Sequence, residues 1–282
     1  MWGPVVEEAI EGIAGDRTSS ASRLARVGLE TMALATLEGA GRKDPAVLTE
    51  IARQISNAQP AMAIVHNVVH LFARLVAEGH EPMEVLREIH AELDSARERI
   101  GKTFLKVAPD KATVLTISHS ESVRSCLLAA HGKRRIAGVL VMESGPTLEG
   151  RAMAKILEGD GLPATVIPDD QGPVRIGDAA YALVGADAVL RDGSVVNKKG
   201  TLALARAAST GGKPLYVACE TLKFDARFDA GTWPGGRTMD LFDLVPGNLV
   251  TTVVTERGTY TPEIVRTMLD PGKRPNPPKP DG

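Results

Sequence analysis

The chain has 282 residues, of which 43% are hydrophobic, and its formal net charge is −2. A chain of this length can bury a substantial core, in one large or two modest domains. The near-neutral charge argues against nonspecific nucleic-acid binding, which would need a basic excess, and no apolar run approaches the length of a membrane span. The N-terminal segment lacks a signal-peptide pattern. We therefore expect a cytoplasmic protein whose two cysteines, Cys126 and Cys219, are reduced thiols.

The first part of the chain carries only helical signals. Apolar residues at helical spacing predict helices over residues 5–13, 19–37, 61–77 and 83–104, and a further helix that opens at Asp44-Pro45. Proline suits the first turn of a helix, and the hydroxyl residues before the second helix can cap it. We predict an N-terminal helical domain over residues 1–107.

From residue 112 onward, short apolar runs alternate with helical segments. Strands are predicted over residues 114–117, 136–141, 164–167, 181–185 and 215–219, and helices over 122–130, 148–157, 175–180 and 201–209. This alternation indicates a parallel sheet with helices on both faces, and hence an α/β fold. A β-rich run over 249–255 and a closing helix over 262–268 complete a domain spanning residues 108–270. Five prolines predict a flexible tail over 271–282.

Charged residues follow two of the predicted strands. Asp187 comes after one buried strand, and Lys223 comes after the next. Asn197 and Lys198 precede a helix starting near Thr201, whose free N–H groups and dipole would favour an anion. Open parallel sheets bind ligands at the carboxyl ends of their strands. One acid and two cations at this edge predict a site for a small phosphorylated molecule.

A second cluster, Ser118-His119-Ser120-Glu121-Ser122, joins a predicted strand to a helix N-terminus. Its three hydroxyls suit phosphate oxygens, although helix capping alone would also explain them. The cluster supports a binding site because the other charged residues are predicted at the same edge.

Six motifs occur in one order and resemble a known family. The chain is similar to the family that joins the alpha, beta and delta regulatory subunits of initiation factor 2B with methylthioribose-1-phosphate isomerase and ribose-1,5-bisphosphate isomerase. The resemblance runs from about residue 13 to 268 and implies a helical domain on a Rossmann-like domain, with homodimers formed through the latter. The motifs are residues 116–123, Glu143-Ser144-Gly145-Pro146 with Glu149-Gly150, Gly185-Ala186-Asp187, Asn197-Lys198-Lys199-Gly200-Thr201, Glu220-Thr221-Leu222-Lys223-Phe224, and Thr255-Glu256-Arg257-Gly258.

The resemblance also implies a reaction. Isomerases of this family convert an aldose 1-phosphate into a ketose 1-phosphate without an added cofactor. The family's acid matches Asp187, and its catalytic cysteine matches Ser118. The positions that match phosphate-binding or neighbouring loop residues are Arg17, Ser120, Glu121, Ser122, Asn197, Lys198 and Lys223.

Three positions depart from the family's pattern. Serine replaces cysteine at Ser118, and a serine hydroxyl is a weak base unless another group activates it. Gln59 and Gly145 stand where arginines are expected, although Arg17 retains some positive charge. Histidine is a residue type that can shuttle protons near neutral pH, but a structural or capping role is the simpler interpretation of His119.

Two functions follow from these observations. The first is an initiation-factor-2B-like protein that binds a phosphorylated sugar or nucleotide without turnover. The alternative is an active isomerase acting on a ribose-type 1-phosphate. We expect no bound metal: His66 and His70 are four residues apart on a helix, but no carboxylate follows them in a metal-binding pattern.

Overall fold

A computed structural model of the chain describes residues 2–40, 45–235 and 240–270. The predicted tail over 271–282 lies outside these residues. No helix in the described part of the chain is long and apolar enough to cross a lipid bilayer.

In the described residues before the first strand there are five α-helices, and each buries one apolar face. Leu29, Ile51, Ile55 and Phe72 are fully buried where these helices pack together. The helices form where the apolar spacing predicts, because each has a continuous hydrophobic stripe to bury. They are α1 (Pro4–Gly15), α2 (Ala21–Leu37), α3 (Ala46–Ala58), α4 (Ala63–Ala77) and α5 (Pro82–Phe104).

The remainder of the described chain contains the strands and five further helices. The strands are β1 (Ala112–Ile117), β2 (Ile136–Met142), β3 (Ala164–Ile167), β4 (Tyr181–Val184), β5 (Ala188–Leu190), β6 (Val195–Lys198), β7 (Leu215–Ala218), β8 (Phe224–Asp225), β9 (Phe242–Val245), β10 (Thr252–Thr255) and β11 (Gly258–Tyr260). The helices are α6 (Glu121–Gly132), α7 (Glu149–Gly159), α8 (Gln171–Arg175), α9 (Thr201–Thr210) and α10 (Pro262–Leu269).

The main sheet has seven strands in the order β11-β10-β7-β4-β1-β2-β3. Every neighbouring pair is parallel except β10 and β11. The six parallel strands therefore have the doubly wound order of nucleotide-binding folds, with the direction of winding reversing between β1 and β4. The predicted α/β class with a Rossmann-like sheet is confirmed.

One predicted helix is misplaced. The segment predicted as helix over 175–180 is the end of α8, followed by a 3-10 turn at Ile176–Asp178. Pro173 fits the first turn of α8, so the helix begins and ends earlier than its apolar residues indicate.

A second sheet, with the order β8-β5-β6-β9, was not predicted from the sequence. Its strands have two to four residues, too few to show a periodic pattern. Residues of this sheet, including Leu190, Val196 and Phe242, pack into the core of the N-terminal helices.

The helical half and the main sheet share buried contacts. Ile100 and Phe104, at the end of α5, belong to the core of the main sheet, where Phe104 meets the rings of Tyr181 and Tyr216 edge-on. The division of the chain near residue 107 stays a prediction, and the packing of α5 crosses it.

Candidate functional site

A cavity of about 790 Å³ lies where the strand order reverses, between the helical half and the carboxyl ends of β1 and β4. Polar ligands bind at this position in doubly wound sheets. The structure brings all nine site residues predicted from the sequence to the lining of this cavity: Arg17, Ser118, Ser120, Glu121, Ser122, Asp187, Asn197, Lys198 and Lys223.

Asp187 follows β4 directly and is held by its backbone. Its N–H donates to the carbonyl of Val196 at 2.8 Å, and its carbonyl accepts from the N–H of Ala63 at 3.1 Å. Burial raises the pKa of the Asp187 carboxyl to about 6, although the charges of Lys223 and Lys198 oppose the shift. A carboxyl that titrates near neutral pH can both donate and accept a proton under physiological conditions.

Lys223 reaches the cavity from a 3-10 turn after β7 and is only 6% exposed. Its Nζ lies 3.5 Å from a carboxylate oxygen of Glu220, and the other oxygen of Glu220 accepts from Ser122 Oγ at 3.2 Å. Burial lowers the pKa of Lys223, but the carboxylates of Glu220 and Asp187 outweigh it and raise the pKa overall. Lys223 is therefore a buried cation.

Ser118 follows β1 with a left-handed backbone (φ 66°). Its hydroxyl donates a hydrogen bond of 2.6 Å to Glu149 Oε2, and Glu149 Oε1 accepts from Lys198 Nζ at 2.9 Å and from Thr147 Oγ1 at 3.0 Å. Burial raises the pKa of Glu149, but the hydrogen bonds from Ser118 and Lys198 outweigh it, so the pKa lies below its usual value. Glu149 is ionised at neutral pH and joins the two predicted site residues.

The first turn of α6 forms another wall of the cavity. Ser120 caps this helix by accepting from the N–H of Val123 at 3.4 Å. The N–H groups of a first helical turn have no partner inside the helix, so those of Glu121 and Ser122 favour an anion. A nitrogen of His119 lies 3.0 Å from Glu121 Oε1, and this contact contributes most to lowering the pKa of Glu121 to about 2.

Gly185 brings β4 close to this helix end. A Cβ atom at Gly185 would lie 2.9 Å from Ser120 Oγ and 3.0 Å from Ser120 Cβ. These distances are shorter than ordinary van der Waals contact, so the Gly185 position needs a residue without a side chain to keep Ser120 at the cavity wall.

The expectation that the N-terminus of α9 attracts a ligand anion is wrong. The carboxylate of Asp243, on β9, accepts from the N–H groups of Gly200 and Leu202 at 2.8 and 3.0 Å. The protein therefore supplies its own anion at this helix end. Asn197 lines the cavity, but its Nδ2 donates to Thr201 Oγ1 at 3.0 Å.

The loop between α1 and α2 brings Arg17 to the rim of the cavity, where its side chain is exposed. The carboxylate of Asp16 accepts from the N–H groups of Thr18 and Ser19, each at 2.8 Å. Gln59 Nε2 donates to the carbonyls of Ile13 and Asp16 at 2.7 and 3.0 Å. Gln59 carries no charge, but it fixes the loop that carries Arg17.

The loop after β2 is fixed in a similar way. The carboxylate of Asp169 accepts from the N–H groups of Ser144 and Gly145, each at 2.8 Å. Gly145 brings no cation to this loop, so the charge of the family's arginine has no replacement at this position.

His66 and His70 lie side by side on α4, with their ring centroids 4.1 Å apart. Burial lowers the pKa of both, that of His66 to about 4. Within residues 2–40, 45–235 and 240–270, no three histidine, cysteine or acidic side chains form a group that could hold a metal ion.

Fold and cavity together define an α/β protein with a cavity lined by charged residues at the reversal point of a Rossmann-like sheet. A sequence model of the initiation factor 2 subunit family matches residues 17–233, and the chain belongs to this family.

The relatives of the chain include proteins named as initiation factor 2B subunits and proteins named as sugar-phosphate isomerases. A translation initiation factor eIF-2B subunit 2-like protein of Pyrococcus abyssi is 32% identical, over 91% of this chain and 96% of that protein. The ribose 1,5-bisphosphate isomerase of Haloferax volcanii is 30% identical, over 79% of this chain and 78% of that protein. The solved structure of eIF-2B from Pyrococcus horikoshii matches with a TM-score of 0.82 at 27% identity, over 93% of this chain and 99% of that one.

Proposed function

We propose that the cavity binds a phosphorylated sugar or nucleotide and that the protein acts as a sensor or binding protein. The observation that carries the proposal is the convergence of three cations from separate elements: Arg17 from the helical half, Lys198 from β6 and Lys223 from the turn after β7. They surround a cavity whose wall includes the N-terminus of α6. Cations and a helix N-terminus together favour a phosphate group.

The arrangement at Ser118 favours binding over the isomerase reaction implied by the family resemblance. That reaction uses a cysteine, which can exchange a proton near neutral pH. The hydroxyl of Ser118 keeps its proton at this pH and directs it at Glu149. The site therefore has the acid, Asp187, but a serine in place of the family's proton-exchanging cysteine.

An active isomerase is the second candidate function, and the raised pKa of Asp187 favours it. A carboxyl with a pKa of about 6 can protonate a sugar ring oxygen at neutral pH. This candidate needs Ser118 or His119 to move the second proton. It predicts conversion of ribose 1,5-bisphosphate to a ketose product, which Asp187→Asn would abolish.

A thermal shift experiment tests the binding proposal. Ribose 1,5-bisphosphate, methylthioribose 1-phosphate and adenosine monophosphate are the probes. A bound probe stabilises the protein by RT ln(1 + [L]/Kd), about 2.7 kcal/mol at one hundred times Kd. Lys198→Ala should reduce the shift by about half or more, whereas Lys155→Ala, an exposed position on α7, should keep it. If none of the three probes shifts the melting temperature, the proposal is wrong for these ligand classes.

We also propose that the protein is a homodimer formed through its C-terminal domain and that it works in the cytoplasm. The edge strand β3 exposes Val166, and α8 exposes Val174, so the proposed C-terminal domain has apolar surface that a partner could cover. Both cysteines are buried free thiols, consistent with a reducing compartment. Sedimentation equilibrium of wild type and Val174→Asp tests the dimer, which the added charge should weaken if Val174 lies in the interface.

A further inference from the structure

Ser118, Glu149 and Lys198 form a hydrogen-bonded chain along one wall of the cavity. Ser118 comes from the loop after β1, Glu149 from the first turn of α7 and Lys198 from the end of β6. Three separate elements therefore meet at one carboxylate. Only 24% of the Glu149 side chain is exposed, so solvent screens its charge only in part.

The direction of the Ser118 hydrogen bond determines what Ser118 can do. A serine hydroxyl has one proton and two lone pairs. The partner at 2.6 Å is an ionised carboxylate, which only accepts, so the proton of Ser118 points at Glu149. Toward the cavity, the Ser118 hydroxyl can therefore only accept hydrogen bonds, through its lone pairs.

We propose that Glu149 is a positioning residue that makes Ser118 a hydrogen-bond acceptor for a hydroxyl group of the bound molecule. The inference rests on the proposed function, because the hydroxyl belongs to the sugar of a phosphorylated ligand. Glu149 acts through Ser118. It also fixes Lys198, whose three N–H donors are shared between Thr147, Glu149 and the cavity.

The same arrangement explains why a serine suits this position. A carboxylate beside a thiol disfavours the thiolate and raises the thiol pKa. A cysteine at position 118 beside Glu149 would therefore be a poor proton-exchanging group. The carboxylate does not impair a serine at this position, because the neutral serine hydroxyl acts only as a hydrogen-bond acceptor for the ligand.

The first test replaces Ser118 by cysteine and measures the rate of alkylation by iodoacetamide between pH 6 and 10. Cys126 and Cys219 are both fully buried, so the reaction reports on position 118. In Ser118→Cys with Glu149→Gln, the neighbouring charge is absent while Lys198 is kept. We expect the double variant to be alkylated about 10-fold faster near pH 7.5 than Ser118→Cys alone, which corresponds to a thiol pKa about one unit lower.

Glu158→Gln in the Ser118→Cys background is the matched control, because it removes an exposed carboxylate from the same helix. It should leave the pH profile unchanged. Superimposable profiles for Ser118→Cys with and without Glu149→Gln would overturn the proposal. This test needs no ligand, so its outcome is independent of the proposed function.

The second test measures binding of ribose 1,5-bisphosphate to Ser118→Ala, Glu149→Gln and the double variant. Loss of one hydrogen bond should weaken binding by Ser118→Ala about 2- to 12-fold. The two changes should be strongly non-additive, because Glu149 acts on the sugar through Ser118. Additive effects, or a Ser118→Ala variant that binds as tightly as wild type, contradict the proposal. Absence of binding by wild type would instead contradict the proposed function for this probe. The alkylation profile alone would then test the role given to Glu149.

Discussion

Asn67, in the other half of the molecule, holds the backbone on both sides of Lys223. The Asn67 amide, on α4, donates to the carbonyls of Leu222 and Phe224 at 2.7 and 2.9 Å, on either side of Lys223. The same helix begins at Ala63, whose N–H holds the Asp187 carbonyl. A single helix of the N-terminal half therefore places both the acid and the buried lysine.

Replacing Asn67 by alanine should weaken the site and the fold together. Two carbonyl groups lose their donor, which costs about 1–3 kcal/mol where they are left without water. We expect lower urea stability and weaker binding of ribose 1,5-bisphosphate, because the turn that carries Lys223 is released. Urea denaturation and calorimetric titration measure the two effects. Arg74→Ala, on the exposed face of α4, is the control; equal losses for both variants would contradict the role given to Asn67.

Asp187→Asn should stabilise the protein near neutral pH. The folded-state pKa of about 6 lies above the unfolded value of about 3.9, so the folded state binds more protons between these pH values. Wild-type stability should therefore fall, relative to the variant, as pH rises from about 4 to 6. The gap should reach about 1–3 kcal/mol above pH 6.

Urea denaturation at pH 4.5, 5.5 and 7 checks this gap. For Asp170→Asn, at an exposed position, the difference in the free energy of unfolding from wild type should be the same at all three pH values. A variant less stable than wild type at pH 7 would show that the Asp187 carboxylate is a net stabilising group.

Gly185→Ala should damage the cavity wall. The added methyl group would press on Ser120, and relief requires movement of the N-terminus of α6 or of β4. Overpacking of this kind costs about 1–3 kcal/mol, and binding of a phosphorylated probe should weaken as well. Gly132→Ala, at the other end of α6, meets nothing within 4 Å and should be neutral or stabilising. Thermal denaturation of both variants, with and without the probe, makes the comparison.

Gln59→Ala should reduce ligand affinity through Arg17. Gln59 holds the carbonyls at the start of the loop, so its loss gives Arg17 more freedom. We expect Arg17→Ala and Gln59→Ala each to weaken binding several-fold, and the double variant to bind little worse than Arg17→Ala. Calorimetric titration of the three variants measures this. Fully additive losses would mean that Gln59 acts on the site by another route.

The parts of the fold predicted from sequence are those with local signals. Buried runs such as Tyr181–Val184 alternate with amphipathic helices, and the rule that ligands bind at strand ends then places Asp187 and Ser118 at one edge. The second sheet was not predicted, because its strands are too short to show a periodic pattern of apolar residues. Two valines and two polar residues make up β6, and the sequence only placed its Asn197 and Lys198 before a helix.

The partners of the site residues could not be predicted from the sequence. Glu149 meets Ser118 across 31 residues, and Asn67 meets the Lys223 turn across more than 150. Neither pairing leaves a spacing pattern in the sequence. Asp243 is a similar case: a helix N-terminus predicts an anion, but the sequence does not show whether the protein supplies it.

The most direct measurement is calorimetric titration of wild type and Lys198→Ala with ribose 1,5-bisphosphate, followed by a phosphorus NMR spectrum of each sample. We predict saturable binding by wild type and binding about 10- to 150-fold weaker by the variant, the loss expected for one charge-assisted hydrogen bond. The ligand spectrum should stay unchanged, because Ser118 holds its proton toward Glu149. The absence of saturable binding, or the appearance of a ketose bisphosphate, would contradict the proposal that the cavity binds its ligand without turnover.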